Sequence, residues 1–131
     1  MPLFLLAAFS SLAGAGDTCS DEAGLAHLVK TEQVRVRWQS VPSEINVGEP
    51  FELELAVCPR DATLVSVDAT MPIHRHGMNY RPSIHRLGEG RWRVQGMVWH
   101  MSGPWRLAFT LEVPGHKSRS PVLLTHDISL R

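Results

Sequence analysis

Residues 71–82 read MPIHRHGMNYRP and place Met71, His74, His76 and Met78 within eight positions. Thioether sulfur and imidazole nitrogen are soft or borderline donors. Imidazole with thioether suits Cu(I), and imidazole alone also serves Cu(II). Structural zinc prefers cysteine and histidine and rarely takes methionine. Hard ions such as calcium need carboxylates, and this stretch carries none. These residue types therefore point to copper, with Cu(I) favoured over Cu(II). The competing reading is a polar loop whose histidines are solvated and whose methionines fill the core.

Spacing restricts how such donors converge. In an extended strand, residues i and i+2 share a face about 6.6–6.8 Å apart, so His74 with His76, or His76 with Met78, can meet one ion. All three cannot do so from a straight strand, whose outer two would stand about 13 Å apart. Gly77 permits a bend, and Pro72 and Pro82 bracket the segment. The expectation is a loop that folds back at Gly77 and turns two or three donors inward.

A second group follows in GMVWHMSGPW, with Met97, His100 and Met101. Neighbours along a strand face opposite ways, so His100 and Met101 share a site only at a strand end. Ser102-Gly103-Pro104 supplies that end, and Trp99 and Trp105 flank it as shields against water. Met97 reads as core. His27, His85, His116 and His126 are scattered and read as surface histidines. The candidate ligands are thus His74, His76 and Met78, with His100 or Met101 from the facing turn.

The elements that must hold these residues show a period of two. VRVRWQS alternates Val34, Val36 and Trp38 with Arg35, Arg37 and Gln39. FELELAV alternates Phe51, Leu53, Leu55 and Val57 with Glu52, Glu54 and Ala56. Such alternation marks strands with one buried face. ATLVSVDATM offers Leu64 or Val65 with Val67, and RWRVQGMVW offers Trp92, Val94 and Gly96. WRLAFTLEV places Trp105, Leu107, Phe109, Leu111 and Val113 on one face, and PVLLTHDISL reads as a last strand. Turn-forming segments rich in Gly, Pro, Asp and Ser separate them. Residues 20–30 read as one or two helical turns. The expected fold is all-β, an antiparallel immunoglobulin-like sandwich of about seven strands. Nothing alternates helix with strand, which excludes a parallel α/β sheet.

With 131 residues the chain suits a single domain. Thirteen basic residues balance thirteen acidic ones, and the two kinds are interspersed, so neither nucleic acid nor a polybasic membrane contact is indicated. The opening MPLFLLAAFSSLAGAG is apolar and then small, and Ala13-Gly14-Ala15 fits signal cleavage. We expect a signal peptide at 1–16, a domain at 17–131, and a periplasmic or otherwise extracytoplasmic location. In an oxidising compartment Cys19 and Cys58 pair as a disulfide.

MPIHRHGM, then GEGRWRV, then MSGPWRL, resembles the YtkA-like/FixH-like family of exported domains over roughly residues 45–114. This chain differs in carrying Trp92 where tyrosine is frequent. The resemblance implies an immunoglobulin-type sandwich associated with copper handling, with His74, His76, Met78 and Met101 as pattern positions.

The function expected is a copper carrier, chaperone or storage module. It would pass copper to a membrane or periplasmic protein and would have no nucleic-acid partner and no small-molecule substrate. The alternative is a non-metal interaction module of the same fold. No enzyme is expected: Gly-x-Ser-x-Gly and His-Glu-x-x-His are absent.

Overall fold

The computed structural model describes residues 19, 24–115 and 120–131. The expected signal peptide, residues 20–23 of the expected helical segment, and His116 lie outside the described residues. The strands are β1 (His27–Lys30), β2 (Arg35–Val41), β3 (Pro50–Cys58), β4 (Thr63–Met71), β5 (His76–Gly77), β6 (Ser83–Gly88), β7 (Arg91–Val98), β8 (Gly103–Glu112) and β9 (Val122–Leu130). No helix occurs among the described residues, and none there is long and apolar enough to cross a membrane.

Two antiparallel sheets form a sandwich. One runs β1-β2-β3-β7-β6 and the other β5-β4-β8-β9. The order β2-β3-β7-β6 facing β4-β8-β9 is the ABED and CFG arrangement of the immunoglobulin sandwich. β5 then extends the second sheet as a short extra strand, and β1 extends the first. The expected class holds, with nine strands among the described residues rather than about seven.

The alternation read from the sequence is the alternation of burial. Val34, Val36, Trp38, Leu53, Leu55, Val94, Leu107, Phe109 and Leu111 are all buried between the sheets. Burying a side chain of this size contributes about 1.5–3 kcal/mol each, which is why one face of every long strand is apolar. Of the pair Leu64 and Val65, Leu64 is buried and Val65 is exposed, because the register with β8 shifts between Leu64 and Ser66.

A bulge sets the approach to the site. Leu53 pairs with Val94 but Phe51 pairs with Met97, so β7 carries one residue more than β3 across this step. Gly96, expected to face the core, is exposed and takes φ 84°, a conformation that favours glycine. The extra residue turns Met97 and Trp99 inward, and both are fully buried. Met97 is core, as expected.

Residues 27–30 form β1, correcting the expected helical turns: Leu28 pairs with Arg37 and Val29 with Val36. β6 was also not anticipated. It is an edge strand whose residues are mostly exposed, so it lacks the apolar alternation that betrays inner strands.

Cys19 and Cys58 form a disulfide with Cα atoms 5.7 Å apart, tying the segment before β1 to the end of β3. The bridge fits an oxidising, extracytoplasmic environment.

Candidate metal centre

The histidine stretch is a hairpin. β4 ends at Met71, residues 72–75 turn, and β5 starts at His76, which pairs with Met71. His74 N donates to Met71 O at 3.2 Å to close the turn. Arg75 takes φ 53°, the left-handed region that costs a side-chain-bearing residue about 1 kcal/mol or more. The chain therefore reverses at 72–75, not at Gly77, which lies in β5 opposite Thr70. The sequence gives no sign of this, because an arginine is an unusual occupant of that conformation.

His100 comes from a different part of the chain. It lies in the connection from β7 to β8, at the same end of the sandwich as the hairpin turn. Two bonds fix this connection: Gly48 N donates to Trp99 O at 2.8 Å, and Trp105 Nε1 donates to Met101 O at 2.9 Å. Beneath it Trp99 stacks on Trp105, with centroids 5.3 Å apart and planes 6° apart, and Phe51 meets Trp99 edge-on at 5.2 Å. Offset-stacked and edge-to-face pairs of this kind contribute about 0.5–1.5 kcal/mol beyond burial.

Three of the five expected ligands form a row. The His74 and His76 rings stand 6.4 Å apart, and the His76 and His100 rings 6.1 Å apart at 81°. Two imidazoles sharing an ion at metal–nitrogen distances of about 2.0–2.1 Å have centroids roughly 5–6.5 Å apart. Both spacings fall within that range, at its open end, where the two rings lie on opposite sides of the ion. His74 and His76 are exposed and His100 is half-buried against the edge of Trp105, 5.6 Å between centroids.

His100 Nδ1 is enclosed and has no hydrogen-bond partner. A buried polar atom left unpaired costs about 1–3 kcal/mol. Trp92 Nε1, Arg93 Nε and Trp99 Nε1 share that condition, but of these atoms only His100 Nδ1 belongs to a side chain that commonly ligates metal. Among the described residues nothing bonds this nitrogen, which belongs to a side chain of a metal-ligating type.

The methionines divide. Met101, next to His100, is half-buried and packs against the core. Met78 is also half-buried, but it lines a groove with Val65–Asp68 of β4, Tyr80, Arg81, Pro82 and Ile84. Met71 is fully buried, its methyl group 3.1 Å from where a Cβ on Gly103 would lie, so it is a core residue. Among the described residues, no three of His, Cys, Asp and Glu are grouped so that they could hold a metal ion together. The described geometry thus offers at most a pair of imidazoles to any one ion, His76 with His74 or with His100.

A different pair of histidines does come together. His27 and His126, both read as isolated surface residues, meet at 5.2 Å between centroids around Trp38. Their distance in sequence hid the contact.

Comparison with protein-family models, with curated proteins and with solved structures finds no match to this chain.

Proposed function

We propose that this chain is an exported copper-binding protein, a periplasmic carrier or storage module whose ion sits between His76 and His100. The observation that carries this reading is the approach of two imidazoles from separate elements, β5 and the β7–β8 connection, one with a buried nitrogen that no group among the described residues bonds. His74 stands at the open side and Met101 beside His100. Two imidazoles with a neutral thioether suit Cu(I), because soft donors favour the lower oxidation state. The resemblance of MPIHRHGM to the YtkA-like/FixH-like family supports the same reading. The exposure of His74 and His76 suits a carrier, whose ion must pass to a copper-receiving membrane or periplasmic protein.

Equilibrium dialysis against ascorbate-reduced copper without oxygen tests the proposal. One Cu(I) should be retained per chain, and acidification should release it, because protonated imidazole cannot coordinate. No retained copper at neutral pH would refute it.

A specific observation favours the second reading, a protein-interaction module. Ile73 and Tyr80, on either side of the histidines, are 74% and 73% exposed. Apolar side chains held so far into solvent suit contact with another protein.

A further inference from the structure

Trp38 is buried in β2, yet its indole nitrogen is turned toward the seam where the first sheet meets the second. There Trp38 Nε1 donates to His126 Nδ1 of β9 at 3.2 Å. His27 of β1 stacks on the Trp38 ring at 4.3 Å and meets His126 edge-on at 5.2 Å. β1 and β9 are the edge strands of their respective sheets, and this trio joins them.

The hydrogen bond settles the chemistry of His126. An indole N–H only donates, so Nδ1 must offer its lone pair and the proton of the neutral ring must sit on Nε2. One nitrogen is then engaged and the other protonated, so the pair is not a donor set for metal. A second proton has only Nδ1 to occupy, and there it would face the indole N–H. His126 in its cationic form therefore cannot keep the bond, and the buried Trp38 N–H loses its acceptor.

We propose that the His27–Trp38–His126 trio is an acid-sensitive latch on the seam between the sheets: neutral His126 bonds Trp38 across this edge, and its protonation breaks that bond.

The groups facing His126 are few. His27 approaches from β1. Asp127 is its neighbour on β9, and it is occupied by Arg106 of β8 at 2.7 and 3.1 Å. Leu107 is the residue opposite on β8, and Trp38 is the contact from β2. Burial lowers the His126 pKa below its usual value; His27 lowers it further, and Asp127 opposes them. A base whose folded-state value is depressed gives stability that is complete above its unfolded value, near ~6.5, and is lost as pH falls from there toward the folded value. The latch is thus shut at neutral pH and weakens in mild acid.

The test is hydrogen exchange of the Trp38 indole N–H, followed by NMR in the intact chain from pH 7.5 to pH 4.5 and referenced to free tryptophan. Protection in the parent should fall by up to about tenfold per pH unit below ~6.5, the limit for one linked proton. His126→Gln offers a carbonyl acceptor that does not titrate, so its protection should fall clearly less than the parent's over the same range. That variant keeps His74, His76 and His100 and so subtracts whatever they contribute. Constant protection in the parent, or an equal fall in His126→Gln, would overturn the proposal. If the variant does not fold, the imidazole nitrogen shifts of parent His126 decide. Nδ1 unprotonated and Nε2 protonated at pH 7.5 supports the latch, and the opposite tautomer refutes it.

Discussion

His76 and His100 lie 6.1 Å apart between ring centroids, the first on the edge strand β5 and the second in the connection that crosses from β7 to β8. Two registers set this distance. Met71 opposite His76 places the first ring on β5, the edge strand beside β4, and the β7 bulge at Gly96 precedes the connection that carries His100. A shift of either strand by one residue would turn its ring to the other face. The approach of the two rings is thus a product of the whole sandwich end, not of the HRHGM segment alone.

The two buried or half-buried methionines of this end should behave differently. Met71→Leu nearly conserves volume in the core and should cost less than about 1.5 kcal/mol while leaving Cu(I) affinity unchanged. Met101→Leu should leave stability equally intact but weaken Cu(I) by roughly tenfold, about 1.4 kcal/mol. Denaturant melts and competition titrations on both variants check this.

The disulfide should account for much of the stability of the β1 side. It closes a loop with a sequence separation of 39, for which chain entropy gives about 4 kcal/mol. The double variant Cys19→Ser/Cys58→Ser should lose stability of that order in urea. Parent protein should show no free thiol until denatured and reduced, as a thiol assay will report.

Gly90 and Gly48 both take positive φ, at 70° and 75°, but their surroundings differ. A Cβ on Gly90 would lie 2.7 Å from Val57 O, on the backbone that also bonds Val57 N to Gly90 O. A Cβ on Gly48 would meet nothing within 4 Å. Gly48→Ala should therefore cost about 1 kcal/mol, the conformational share alone. Gly90→Ala should cost clearly more, about 2–3 kcal/mol, with paired thermal melts as the comparison.

The long strands were legible because each has one wet and one buried face. Val36, Leu53, Leu55 and Leu107 announce themselves by alternation. β5 and β6 were not legible, since a two-residue strand and an exposed edge strand bury too little to leave a pattern. At the candidate site, residue types pointed to the 71–82 loop and to His100, and the fold brings His100 within 6.1 Å of His76. The reversal at Arg75, the placement of Met78 in the β4 groove, and the His27–His126 contact depend on tertiary packing, which local sequence does not encode.

The most direct measurement is the Cu(I) affinity of His76→Ala beside that of the parent, from competition with a chromophoric Cu(I) ligand at neutral pH without oxygen. His76 is exposed, so its truncation should leave the near-ultraviolet circular dichroism of the tryptophans unchanged. Loss of a direct ligand should weaken binding by more than the roughly 10–100-fold that changes around a ligand produce. The account predicts at least about a hundredfold loss with the fold intact. Equal affinity in the two proteins would contradict it.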